Sequence, residues 1–194
     1  FVNYFDMPLQ HITPSKLKIM KRGKGVEKLN ELMNHMRSKP NSFVRTTFIA
    51  GHPGETVEDH EALCKYIKEF KFDRANVFSY STEEGTVAAQ SKEMVEQEII
   101  DARAEEIGEI IAQTTQESLE VEIGKTFEVY IDGESDEHEY LLSARKTVWA
   151  PDIDGEIYIN DNELKEGEQI KFGQIYTVKV TELVGDKLLA TVIK

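Results

Sequence analysis

The sequence predicts two architectures in series, an α/β segment followed by a small all-β barrel. Through about residue 120, strand-like runs alternate with stretches of helical spacing. Beyond Ile123-Gly124 the helical spacing stops, and short alternating runs recur between glycines. No Pro- or Ser-rich linker marks the change, so the last helix itself is expected to bridge the parts, with a boundary between 1–121 and 122–194.

The elements follow in order. Phe1, Val2, Tyr4 and Phe5 read as a strand that Pro8 ends, because proline supplies no ladder donor. Thr13-Pro14 is a helix start, an N-cap hydroxyl before a proline at the first helical position. Leu17 and Met20, then Leu29, Leu32, Met33 and Met36, keep helical spacing but for a break at Gly23-Lys24-Gly25, so two helices are expected. Residues 43–50 are β-branched and aromatic and read as a second strand, which the turn cluster at 51–54 closes. Thr56 then caps a helix with Asp59 at its third position and an apolar stripe at Val57, Leu63, Tyr66, Ile67 and Phe70. Residues 75–80 form a third strand, and beyond Gly85 a long acidic helix carries Ile99, Ile100, Ile107, Ile110 and Ile111 toward Leu119. This alternation implies parallel strands joined by right-handed helical crossovers.

Past Lys125 the runs fall at 127–131, 140–142, 156–159, 175–180 and 188–193, with Gly133, Gly155, Gly167, Gly173 and Gly185 between or beside them. An antiparallel barrel that closes its own edges is the expected result.

Charge and composition narrow the function. The net charge of −13 argues against non-specific nucleic-acid binding, which needs clustered Lys and Arg, and favours a basic partner. Residues 122–194 hold 16 Asp and Glu against 8 Lys and Arg, so most of the excess lies in the β part. No apolar run approaches the length of a membrane span, and the chain opens at Phe1 without an initiator Met or a signal-like segment. A cut, cytoplasmic, soluble chain is expected. A single cysteine provides no disulfide framework, no Cys-rich zinc site and no thiolate set for an iron–sulfur cluster. Cys64 lies in a helical pattern and reads as a buried structural thiol. His11, His35, His60 and His138 show no ligand spacing with it, and no metal is assigned.

Three stretches together resemble the methylthiotransferase family of radical S-adenosylmethionine (SAM) enzymes. They are Asp6-Met-Pro-Leu-Gln-His11 with Met20-Lys-Arg22, the run 45–56 through Gly51-His-Pro-Gly54, and Phe72-Asp-Arg followed by 78–86. Their order and spacing cover nearly all of residues 1–120. The β part is similar to a TRAM domain, an OB-like barrel, most closely around Ala150-Pro-Asp-Ile-Asp-Gly155. The resemblance implies the closing half of a radical SAM partial TIM barrel, its first strand about the fourth of six, followed by TRAM. Within the family, Pro-Leu-Gln-His and Glu83-Glu84-Gly85-Thr86 resemble the subgroup that methylthiolates an aspartate β-carbon of small-subunit ribosomal protein twelve. Members acting on tRNA adenosine typically carry Arg-Pro-Gly-Thr there. The alternatives are therefore a tRNA-directed methylthiotransferase, or a non-catalytic acidic protein-binding module.

The family's chemistry needs SAM and two 4Fe–4S clusters, and this chain carries neither ligand set. The resemblance thus implies that it contributes SAM positioning and substrate recognition, supplies no catalytic residue and is inactive alone. The sites it implies sit at the strand tips. Gln10 meets the SAM ribose hydroxyls, or is only a turn-stabilising amide. Arg45 offers a fork to the SAM carboxylate, or joins an internal ion pair. Gly51 with Gly54 lets backbone approach adenine, or makes a tight turn. Phe78 and Ser79 bring main-chain groups to adenine, and Tyr80 faces substrate or sits in the core with its hydroxyl satisfied. Glu83 and Glu84 are on the substrate side, and Trp149 anchors the protein partner or packs the barrel. Glu55 reads as an anchor at a helix N-terminus. His52 stands where the family usually has Phe, which puts apolar packing of its loop in doubt. A cut barrel should also expose its first strand's edge and favour self-association.

Overall fold

The structure, a computed structural model, describes residues 1–22 and 25–194. It divides into two compact units, Phe1–Thr115 and Gln116–Lys194. Of the expected break between the first two helices, Gly23 and Lys24 lie outside the described residues.

In the first unit β1 (Tyr4–Asp6), β2 (Phe43–Ala50) and β3 (Arg74–Ser79) form one parallel sheet in that order. The helices α1 (Pro14–Ile19) and α2 (Val26–Arg37) lie between β1 and β2 in sequence, and α3 (Val57–Phe70) between β2 and β3. Strand β1 is shorter than the apolar run suggested, since Phe1 and Val2 are exposed and outside it. Helix α1 starts with Pro14 as expected, but the Thr13 hydroxyl makes no cap bond and lies instead 3.3 Å from His11 Nδ1. The capping box of α3 is complete: Thr56 Oγ1 accepts from the Asp59 amide at 3.1 Å, and Asp59 Oδ2 from the Thr56 amide at 3.3 Å.

Strand β2 has two different faces. Val44, Thr46, Phe48 and Ala50 are fully buried, and the three apolar ones pack with Leu63, Cys64 and Ile67 of α3, Met33 of α2 and Ile107 of the last helix. Arg45, Thr47 and Ile49 alternate onto the other face and are half-buried. Thr46 is tolerated in the core because its hydroxyl donates to the Met7 carbonyl at 2.9 Å and accepts from the Leu9 amide at 3.2 Å. Asp73 ties the strand to α2, taking the Val44 amide at 2.7 Å and Arg37 at 2.5 Å.

Helix α4 (Gln97–Glu120) follows, and the division between the units falls within it. In the second unit β4 (Thr126–Glu134), β5 (Leu142–Lys146), β6 (Ile157–Asn162), β7 (Ile175–Val184) and β8 (Lys187–Val192) close into a barrel of order β4-β5-β6-β8-β7. The alternation produces the core: Val129, Ile131, Ile157, Val178, Leu188 and Val192 are fully buried. Register shifts at 131/133, 159/161 and 180/182 mark bulges that bend strands enough to close a small barrel. The pairing corrects one expectation, since β6 and β8 run parallel rather than antiparallel. The long connection over 163–174 delivers β7 to the far side against β4, and the tight turn at Gly185 then returns β8 alongside β6 in the same direction. Strand β5 starts at Leu142, the last residue of the run expected at 140–142, and Tyr140 is exposed. Among the described residues no helix is long and apolar enough to cross a membrane.

Candidate functional site

The C-terminal ends of the three parallel strands surround a cavity of about 540 Å³, lined by Gln10, Met20, Thr47, Ile49, His52, Phe78, Ser79, Tyr80, Ser81, Glu83, Thr86 and Ala88. This size lies in the range that holds a nucleoside-sized ligand. Its apolar lining comes from Met20, Ile49 and Phe78, and Gln10, Thr47, Ser79, Tyr80, Ser81, Glu83 and Thr86 supply polar groups. Gln10 prolongs the β1–β2 pairing, its amide donating to the Thr47 carbonyl at 2.8 Å and its carbonyl accepting from the Ile49 amide at 2.9 Å. Its φ of +64° is left-handed, a conformation that costs a non-glycine residue roughly 1–2 kcal/mol. The strain places the Gln10 side chain at the cavity.

His52 and Tyr80 form the facing wall, ring centroids 5.3 Å apart and edge to face. His52 Nδ1 lies 3.2 Å from the Pro53 carbonyl, so that nitrogen carries the proton and donates. Burial holds the His52 pKa below its ordinary value, which keeps the ring neutral. Neutral His52 thus fills the aromatic place expected of a Phe, packed on Tyr80. The Tyr80 amide donates to Ala50 at 2.8 Å and fixes the backbone. Its hydroxyl is buried and has no hydrogen-bond partner among the described residues. An unanswered buried donor beside a cavity is costly in the free protein.

Beneath the tips lies a buried polar network that sequence reasoning missed. Glu55 Oε2 accepts from the Gly51 amide at 2.9 Å, and Oε1 from Arg103 of α4 at 3.0 Å. Burial pushes the Glu55 carboxyl above its usual range, opposed by Arg103 and the Gly51 amide. Glu55 therefore ties a strand tip to a helix 48 residues away rather than standing only at a helix N-terminus. His11 is fully buried, its Nδ1 accepting from the amides of Ile12 at 2.9 Å and Thr13 at 3.2 Å. Its other nitrogen therefore bears the proton and points at Glu55 Oε2, 3.7 Å away. No motif announces these pairs, because His11, Glu55 and Arg103 come from three separate segments.

The expected site residues separate into two groups. Gln10, Phe78, Ser79, Tyr80 and Glu83 meet at the cavity. Arg45 shares the β2 face of Thr47 and Ile49 but lies below the cavity, its Nε 3.9 Å from Asp6 Oδ2. Gly51 does not line it either. Its φ of +76° and the Ile100 side chain, whose Cβ would stand 2.8 Å from an added methyl, account for the glycine. Glu84 is exposed outside the cavity, and Trp149 is only 7% exposed, with the Lys146 ammonium 5.6 Å from its ring centre. So buried a ring presents little surface to a partner. Cys64 is buried, and burial pushes its thiol up to about 11. The expectation that no histidine is spaced to share a ligand with Cys64 needs correction, because His60 lies four residues before it on α3 and the two side chains touch.

On the barrel a second groove of about 360 Å³ is walled by Asp132, Glu134, Asp136, Glu137, Asp152 and Glu156, with Arg145 and Lys187 among them. Arg145 pairs with Asp132 at 3.1 Å, and Lys187 with Glu137 at 2.7 Å and Glu156 at 3.0 Å. Six carboxylates against two cations leave this surface negative.

Comparison with known proteins fits both units. Residues 123–193 match the TRAM domain family model. The whole chain is 84% identical to 44% of the length of the ribosomal protein uS12 methylthiotransferase RimO of Aliarcobacter butzleri (strain RM4018). It is 57% identical to 43% of the same-named protein of Sulfurovum sp. (strain NBC37-1). The chain thus spans less than half the length of these relatives. A solved radical SAM enzyme, coproporphyrinogen III oxidase (HemN) from Escherichia coli, shares 25% identity over 59% of this chain and 26% of its own, with a TM-score of 0.46. That likeness is too partial to carry weight beside the sequence matches.

Proposed function

We propose, from the premise that the chain belongs to the RimO methylthiotransferase family, that it forms the SAM-positioning and substrate-recognising part of an enzyme that methylthiolates an aspartate of ribosomal protein uS12. The single observation that carries the positioning role is the Tyr80 hydroxyl, buried beside the cavity without a hydrogen-bond partner among the described residues. The Gln10 side-chain amide in the same lining can both donate and accept, as a ribose diol requires. The apolar lining from Met20, Ile49 and Phe78 suits an adenine face. In the whole enzyme SAM and two 4Fe–4S clusters supply the radical chemistry. A cluster needs several thiolates, and the sequence has one cysteine, buried in the helix layer. Cluster ligands then come from outside this chain, which alone is inactive.

The acidic barrel groove supports a basic protein substrate over tRNA, since clustered carboxylates repel phosphate and attract Lys and Arg. A cytoplasmic location accords with a ribosomal substrate. The edge strand β1, paired only with β2 among the described residues, favours self-association of the chain; sedimentation as a monomer at high concentration would contradict that.

The test is SAM binding to the cluster-loaded, full-length enzyme. Gln10→Ala is expected to weaken it about tenfold, the loss of one or two good hydrogen bonds. Tyr80→Phe should weaken binding while leaving the unliganded fold equally stable or more so, because it removes an unsatisfied buried hydroxyl. Unchanged affinity in both variants refutes the site.

A further inference from the structure

His60 and Cys64 stand four residues apart on α3 and so project from one face, with Glu106 of α4 opposite. His60 Nε2 lies 2.8 Å from Glu106 Oε2 and 3.5 Å from Cys64 Sγ, and the three atoms all fall within 4.8 Å of one another. Neighbouring ligands of a tetrahedral zinc ion, at bond lengths of about 2.0–2.3 Å, stand roughly 3.3–3.8 Å apart. The His60–Cys64 spacing of 3.5 Å lies within that range and the His60–Glu106 spacing of 2.8 Å lies below it, and the Glu106 side chain, 58% exposed, is free to turn its carboxylate outward by the distance required.

We propose that His60, Cys64 and Glu106 form a binding site for a thiophilic divalent transition metal, with zinc the best fit, that clamps α3 to α4. The donor set selects the metal: a thiolate and an imidazole suit zinc and exclude calcium and magnesium, which take oxygen. One thiolate and one carboxylate also neutralise a dication, which lowers the cost of placing it against His60 and Cys64, each 6% exposed. The exposed side of Glu106 leaves a fourth position to water. Binding releases the Cys64 thiol proton to solvent, and the neutral His60 imidazole moves its single proton from Nε2 to Nδ1 as Nε2 takes the metal.

A second observation on the same residue sets the strength of the site. His60 Nδ1 is buried with no hydrogen-bond partner among the described residues. Nδ1 is therefore open to take the proton that leaves Nε2, and a metal at Nε2 displaces only the hydrogen bond to Glu106, which becomes a ligand itself. The outer hydrogen bond that usually raises the basicity of a metal-bound histidine is missing too. The site is accordingly an exchangeable one, weaker than a four-ligand structural zinc.

The experiment titrates the reduced 194-residue chain with cobalt(II). Because the sequence holds one cysteine, a thiolate-to-cobalt charge-transfer band reports Cys64 alone. The band should saturate at one equivalent, disappear when zinc is added and be absent in Cys64→Ser, and zinc should raise the melting temperature of the native chain but not of that variant. Glu106→Gln, an exposed change that leaves the core intact, should weaken cobalt binding about tenfold or more; it keeps the proposal testable where Cys64→Ser fails to fold. No band, or an affinity unmoved by Glu106→Gln, overturns it and leaves adventitious binding to surface carboxylates.

Discussion

Arg103 of α4 meets Glu55 twice, its Nη1 donating to the Glu55 carboxylate at 3.0 Å and to the Glu55 backbone carbonyl at 2.9 Å. The pair is buried and fastens the loop after β2 to the helix that covers it. Removing the cation alone strands a carboxylate, so Arg103→Met should cost about 3–5 kcal/mol at neutral pH. Adding Glu55→Gln to Arg103→Met should recover part of that loss, because the amide carries no charge to strand. Chemical denaturation of both variants and the double mutant measures the coupling, and additive losses would show that the two side chains do not act as a pair.

Gly51 faces a different constraint from the same helix. An added methyl would lie 2.8 Å from Ile100 Cβ, and the backbone there is already left-handed. Gly51→Ala should destabilise by about 2–4 kcal/mol, combining an unfavourable φ with overpacking. Ile100→Ala should relieve only the overpacking. A double-mutant cycle is expected to show a positive coupling smaller than the full loss. If Gly51→Ala is neutral, the glycine serves something other than the approach of α4.

The capping box should be worth less. Thr56→Ala removes the acceptor for the Asp59 amide and should cost about 1 kcal/mol. Asp59 also accepts from Ser15 Oγ of α1 at 3.0 Å, so Asp59→Ala loses both the cap and a link between helices. The measurement is the difference in unfolding midpoint, with Asp59→Ala expected to fall further than Thr56→Ala.

Much of this architecture is legible in the residues, and the reasons are local. Thr56 with Asp59 writes a helix start into four positions, and 43–50 writes a strand through β-branched and aromatic side chains. Four of the five barrel strands are visible because their core positions alternate with others, as Val129 and Ile131 do in β4, whereas β5 begins only at the last residue of the run that suggested it. The parallel β6–β8 pair is not visible, since pairing depends on where the 163–174 connection goes rather than on any strand's own pattern. At the cavity, Gln10 and Tyr80 are legible through their motifs. Whether Arg45 reaches the cavity is not legible in the same way, because a strand residue's face follows from parity but its depth along the sheet follows from register with Asp6 and Arg74. The polar network of His11, Glu55 and Arg103 depends wholly on tertiary contact.

That network also makes the fold sensitive to acid. His11 Nδ1 accepts from two backbone amides, so protonating it breaks both bonds and buries a charge. Burial accordingly lowers its pKa from 6.5 to about 4, with Asp59 opposing and Lys16, His52 and His60 adding to the shift. A depressed folded pKa contributes stability that is fully present above the unfolded value and is lost as pH falls toward and through the folded one. At pH 5, between the two, the expected loss relative to pH 7.5 is about 2 kcal/mol. His11→Asn keeps an acceptor near Ile12 and Thr13 but cannot take up a proton. The raised Glu55 carboxyl titrates with the opposite sign, contributing stability at low pH that is lost as pH rises, and it is present in both proteins. The wild-type stability minus that of His11→Asn, measured by denaturant unfolding at pH 7.5, 6 and 5, should therefore fall by about 2 kcal/mol across the series. A difference that stays flat would mean that protonated His11 finds a partner, with Glu55 Oε2 at 3.7 Å the first to check by following the imidazole resonances through the same titration.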